Sequence, residues 1–161
     1  MITLSTESQP ETKPELYSLL LSQARSLVEG EPDAIANLAN VAALVYHTLP
    51  DLNWSGFYLH KDGELVLGPF QGKPACIRIA IGRGVCGTAA AQRATIVVPN
   101  VDEFEGHIAC DGDSRSEIVV PLVRDGVLFG VLDVDSPSLD RFDNDDREGL
   151  ERLAALVIEH L

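Results

Sequence analysis

Basic residues are scarce in this chain and long apolar runs are missing, and both absences narrow its roles. Lys and Arg total 12 against 25 Asp and Glu, a formal charge of −13. A surface this acidic repels phosphate backbones, so no nucleic-acid partner is expected. No apolar stretch reaches the roughly 18 residues that a membrane-spanning helix needs. The opening residues, MITLSTESQPETKPEL, have no basic flank followed by an apolar core, so no signal peptide is expected. A cytoplasmic protein that does not contact membranes follows as the expectation. Cysteine is limited to three residues, Cys76, Cys86 and Cys110, an odd number that cannot complete a structural disulfide set. There is no Cys-x2-4-Cys knuckle, which argues against a zinc site built from these cysteines and His107. The glycine-rich GRGVCGTA lacks the Gly-Lys-Ser/Thr of a nucleotide-binding loop. Neither a metal nor an organic cofactor is expected. No internal repeat and no interdomain linker interrupts the 161 residues, a length suited to one domain.

What is present reads as an α+β chain. Residues 14–29, PELYSLLLSQARSLVE, place leucines at helical spacing behind Pro14, and AIANLANVAALVYHTL predicts a second, more buried helix. From Trp54 the period shortens. WSGFYLH and LVLGPF flank KDGE, an Asp-Gly hairpin signal. ACIRIAI predicts another strand, and GRGVCGTAAAQR a turn into a short helix. TIVVP predicts a short strand whose closing Pro99 points to an edge or a terminus. Residues 100–115 show almost no apolar periodicity, and a connection that long is usually functional or disordered. SEIVVPLV and VLFGVLDVDS form a second hairpin around RDG, and Asp143 or Asn144 caps a last helix. An antiparallel sheet of about six strands with helices packed on a face is expected.

The polar loop holds the first candidate chemistry. Cys110 lies in GHIACDGDSRS, between His107 and two aspartates, where a cysteine used only for packing is out of place. Cys86, flanked by Val85 and Gly87, fits either a small core residue or a thiol with a task. A bridge between two of the three thiols would contribute roughly 3 to 4 kcal/mol by loop entropy, yet would not persist in a reducing cytosol outside a redox cycle. A dithiol that opens and closes during turnover is the better reading: one thiol is oxidised and a second displaces the product as a disulfide. Asp111 and Asp113 oppose ionisation of Cys110, and His107 and Arg115 offset them in part. Such a loop suits a substrate that is itself activated by a proton.

The second candidate is acidic. Asp133 and Asp135 are two apart on a predicted strand and share a face, with apolar Leu132 and Val134 on the other. With Glu117, they can hold a cationic amine or share a proton as a general acid. The competing reading is acids facing solvent on an acidic protein. Trp54 and Tyr58, four apart, share a face and either pack in the core or wall a pocket.

Taken together, NWSGFYL, LGPFQGKPAC, GRGVCGTAA, GHIACDGDSRSEIVVPL and GVLDVDS resemble the free methionine-(R)-sulfoxide reductases, small enzymes on a GAF domain. The resemblance spans roughly residues 15–160. It implies a GAF-like fold, a single domain over 1–161 with 1–13 as a flexible N-terminal segment, a homodimer, and recycling by a thioredoxin-type reductant. It also implies that Cys110 is the nucleophile, Cys76 the resolving cysteine and Cys86 a third, less critical one. Trp54 and Tyr58 would enclose the substrate, and Glu117, Asp133 and Asp135 would line its pocket. Pro99 and Asn100, in TIVVPNVDEF, depart from the family's more usual polar stretch. Two further readings stand beside this one: a non-catalytic, ligand-binding GAF sensor, which is ordinarily joined to an output domain, and a thiol redox sensor without a substrate.

Overall fold

A computed structural model describes residues 9–161. Of the N-terminal segment expected to be flexible, residues 1–8 lie outside the described residues, while Thr12 already caps the first helix. The element order is α1 (Lys13–Val28), α2 (Ala34–Thr48), β1 (Trp54–Lys61), β2 (Glu64–Gly72), β3 (Arg78–Ala80), α3 (Gly84–Gln92), β4 (Ile96–Val98), β5 (Ser116–Arg124), β6 (Val127–Ser136) and α4 (Asn144–Ile158). Helix starts follow the local chemistry. Thr12 and Glu15 form a reciprocal capping box on α1, and Asp143 with Asp146 forms another on α4. No helix among the described residues is long and apolar enough to cross a membrane.

The six strands pair in the order β3-β2-β1-β6-β5-β4, every neighbouring pair antiparallel. Both Asp-Gly turns form as the hairpin rule requires, with positive φ at Asp62 (51°), Gly63 (84°), Asp125 (52°) and Gly126 (76°). Pro99 does follow an edge strand, β4. The strand expected from ACIRIAI shrinks to Arg78–Ala80, with Ile77 still accepting a backbone bond from Leu67 at 2.8 Å. The preceding Pro74 cannot donate to a ladder, and Cys76 is bound elsewhere.

The sheet is buried on both faces. Phe57, Ile118, Val120, Leu122, Leu132 and Val134 pack beneath α1, α2 and α4. The alternate residues Trp54, Tyr58, Val119 and Val131 face α3, Ile79 and Val101. Helices flank the sheet as expected, α3 on one face and α1, α2 and α4 on the other. The small residues of α3 (Gly, Ala, Cys) let it lie close to the sheet, and the functional loops collect around it.

Candidate active site

Strand register brings the acidic residues together. Trp54 on β1 pairs with Asp135 on β6, and Asp135 pairs with Glu117 on β5. One step along, Gly56 pairs with Asp133. Side chains at these positions share one face, so three carboxyl groups from two strands meet under α3. Glu117 and Asp133 are each only 6% exposed; Asp135 keeps more of its surface at the cavity. Cys86, in the first turn of α3, lies 4.0 Å from Glu117 Oε1. Asp133 Oδ1 is buried and has no hydrogen-bond partner among the described residues.

Burial pushes all three carboxyl groups well above their ordinary range, and their proximity pushes them further: Asp135 acts on Glu117, Glu117 on Asp133, and Asp133 on Asp135. The Cys86 thiol is raised by burial and then by Asp133 and Glu117. His107 Nε2 sits 3.3 Å from Glu117 Oε2. Burial lowers the imidazole and raises the carboxyl, so both shifts work against an ion pair at this contact. No Lys or Arg pairs with the trio among the described residues. Burial and mutual repulsion thus both favour the protonated forms of this cluster.

Aromatic rings form the wall. Trp54 stacks with Tyr58 (ring centroids 5.9 Å apart) and with Phe70 (5.2 Å). Gly56 makes room for this: a Cβ there would collide with Phe70 and with the Trp54 ring. The same two aromatics hold the Cys76 segment. The Trp54 indole donates to the Lys73 carbonyl at 3.1 Å, and the Tyr58 hydroxyl donates to the Cys76 carbonyl at 2.9 Å.

The long loop closes the site. Its stem is joined where Val101 N–H donates to the Arg115 carbonyl at 2.9 Å. At its tip Ile108 lies on Gly84, whose φ of +61° and lack of Cβ leave the space. Cys110 is joined to Cys76 as a disulfide, Cα atoms 5.5 Å apart across 34 residues of sequence. Cys86 is the free thiol. With the bridge closed the cavity measures about 30 Å³, room for about two water molecules. Trp54, Tyr58, Cys86, Cys110, Glu117, Asp133 and Asp135 all line it, while Cys76 stands at its edge beside lining residues Pro74 and Ala75.

The eight candidate site residues (Trp54, Tyr58, Cys76, Cys86, Cys110, Glu117, Asp133 and Asp135) thus gather at one place, and the solvent-facing reading of Glu117, Asp133 and Asp135 fails. The four-ligand set of His107 with three cysteines does not form, because two of the sulfurs are joined to each other. Cys86, Glu117 and Asp133 do offer donor atoms within 4.8 Å of one another, the residues that would hold a divalent ion were one to enter. Arg115, expected to offset Asp111 and Asp113, is exposed and touches neither. Lys73 pairs with both instead, 38 and 40 residues away in sequence. Asn53 was also missed; its Nδ2 donates to Asp111 Oδ2 at 3.2 Å and to Ser114 Oγ at 2.9 Å. The only hint in the sequence was a base beside one cysteine and acids beside another.

Comparison with known proteins agrees with this geometry. The GAF domain family matches residues 33–161. Protein YtsP of Bacillus subtilis (strain 168) is 54% identical over 150 residues, covering 92% of each chain. The free methionine-R-sulfoxide reductase of Escherichia coli (strain K12) is 52% identical over 143 residues, covering 89% of this chain and 87% of that protein. The X-ray structure of free methionine-R-sulfoxide reductase from Neisseria meningitidis, in complex with its substrate, superimposes with a TM-score of 0.93 at 46% identity, over 98% of this chain and 95% of that one. This chain belongs to the GAF domain family and, within it, to the free methionine-R-sulfoxide reductases.

Proposed function

We propose that this protein reduces free methionine-(R)-sulfoxide to methionine, with Cys110 as nucleophile and Cys76 as resolving thiol. The observation that carries the reading is the meeting of Cys76 and Cys110 as a disulfide at the rim of a buried acid cluster. A sulfoxide oxygen is a poor leaving group until it accepts a proton. Glu117, Asp133 or Asp135, kept neutral by burial and mutual repulsion, supplies one. The activated sulfur is then attacked by the Cys110 thiol without a strongly lowered thiol pKa. Oxygen passes from the methionine sulfur to Cys110, methionine leaves, and Cys110 is a sulfenic acid. The Cys76 thiol attacks the Cys110 sulfur, the S–O bond breaks, water departs and the disulfide remains. A thioredoxin-type dithiol returns both cysteines to thiols and takes up the oxidising equivalents.

Substrate binding follows from the same groups. The orphaned Asp133 Oδ1 suits the substrate ammonium, and Trp54 and Tyr58 enclose the methyl sulfoxide end. A pocket that closes around a whole amino acid excludes a peptide chain, which accounts for restriction to the free form. The Cys76–Cys110 bridge closes the rim of the cavity, and its reduction frees the Cys110 loop to admit substrate. A homodimer working in a reducing compartment such as the cytoplasm belongs to the same reading.

The test is to supply racemic free methionine sulfoxide and a dithiol reductant and to follow the R epimer. The epimer is consumed by the wild type; Cys110→Ser abolishes turnover. Cys76→Ser forms at most one equivalent of methionine per site with thioredoxin, and Cys86→Ser retains much of the activity. Persistence of the R epimer with wild-type protein would sink the enzyme reading and leave the ligand-binding or redox-sensor readings.

A further inference from the structure

The aspartates beside Cys110 are paired by Lys73, whose Nζ lies 3.5 Å from Asp111 Oδ1 and also meets Asp113. Each side of this contact is anchored without the disulfide. On one side, Trp54 and Tyr58 hold the backbone of residues 73 and 76. On the other, Asp111 accepts from Asn53 and from its own loop through the Asp113 N–H at 2.9 Å. Lys73 is the charged link between the segment carrying Cys76 and the loop carrying Cys110.

We propose that Lys73 is a positioning residue for the redox step: its pairing with Asp111 and Asp113 docks the Cys110 loop on the Cys76 segment, speeds disulfide closure and stabilises the closed form. It takes no part in sulfur attack. The kinetic half of this proposal rests on the reductase reading; the equilibrium half does not. Two thiols 34 residues apart must meet for closure, and a contact that favours the docked loop raises their effective concentration. The same contact is fully formed in the disulfide, so it draws the thiol–disulfide equilibrium toward closure. Because Lys73 is 63% exposed, the effect is modest, about two- to five-fold, and weakens with salt.

The experiment uses the full chain and the variants Lys73→Met and Lys73→Arg. Without any sulfoxide, the Cys76–Cys110 couple is titrated in thiol–disulfide buffers. Lys73→Met is expected to be easier to reduce by about two- to five-fold in the equilibrium constant, or about 10–20 mV. The difference should vanish at high salt, and Lys73→Arg should match the wild type. In a single turnover, Lys73→Met should release its first methionine at the wild-type rate, while sulfenic acid trappable by dimedone persists about two- to five-fold longer. An unchanged potential overturns the proposal, as does failure of arginine to restore it, or slowing of methionine release by the same factor as closure. If the wild type forms no methionine, the reductase reading falls, and the titration still decides whether Lys73 docks the loop.

Discussion

Two buried acidic sites in this molecule solve the same problem in opposite ways. Asp146, at the start of α4, is fully buried and surrounded by donors. The Tyr17 hydroxyl reaches it at 2.9 Å, Lys13 Nζ at 2.6 Å, Arg141 at 3.1 Å to each oxygen, and the Asp143 N–H at 2.9 Å. Glu117, Asp133 and Asp135 lie together across the sheet, and no lysine or arginine reaches them among the described residues. The first site joins α1, α4 and the segment before α4 by neutralising a charge. At the second, burial and mutual repulsion hold the carboxyl groups well above their ordinary range and so disfavour charge. A buried acid with its cations serves the fold, and buried acids without cations are poised to give protons away.

The contrast is broken most severely by removing a proton from the second site. Glu117→Gln or Asp133→Asn is expected to lower kcat/KM toward the sulfoxide by about 10²- to 10⁴-fold, the size of a lost general acid. The melting temperature should hold or rise, because an amide removes a carboxyl that its neighbours already disfavour as a charge. Circular dichroism melts beside the epimer assay give both readouts. A variant that melts early and keeps its activity would mean that the trio is structural.

Asp146→Asn should do the reverse. It leaves Arg141, whose side chain is 9% exposed, without its anion, while Lys13 keeps only Asp143, at 2.7 Å. Breaking a buried pair from one side costs about 3–5 kcal/mol, which for a domain of this size lowers the melting temperature by about 6–20 °C. At temperatures where the variant is folded, kcat/KM should match the wild type. Equal loss of activity in the folded variant would erase the distinction between the two sites.

The sequence carried the second site more openly than the first. Asp133 and Asp135 announce a shared face because strand period is two, and Trp54 with Tyr58 announce theirs for the same reason. Their meeting across β1, β6 and β5 depends on register, which alternation alone does not specify. The Asp-Gly turns and the capping residue of α4 were legible because those residues act locally. The α1–α4 junction was not: Lys13, Tyr17, Arg141 and Asp146 are ordinary surface residue types until packing buries one of them. Lys73 was hidden for the same reason, since ion pairs 38 and 40 residues long leave no periodic trace. The shortened β3 went unseen because ACIRIAI alternates well, while Cys76 is turned toward Cys110. The pairing of Cys76 with Cys110 came from resemblance to a family, not from spacing.

The two sites should also pull stability in opposite directions with pH. For the trio, the folded state holds protons that the unfolded chain releases above about pH 4, the ordinary carboxyl value. Protons bound to the folded form then exceed those on the unfolded form. Stability therefore falls as pH rises from that point toward the raised native values, by up to about 1.4 kcal/mol per pH unit for each group. At the other site, burial alone would raise Asp143, but Lys13 and the Asp146 N–H hold it down at about 2. Its contribution is present above the ordinary carboxyl range and is lost as pH falls through about 2. Denaturant unfolding from pH 4.5 to 7.5 should accordingly show a declining limb in the wild type. Glu117→Gln should flatten it by close to one proton's worth, and Asp143→Asn should leave it alone and alter only the acid limb. A wild-type slope that survives Glu117→Gln unchanged would mean that this carboxyl is already ionised in the folded protein, and the proton it is asked to give would have to come from elsewhere.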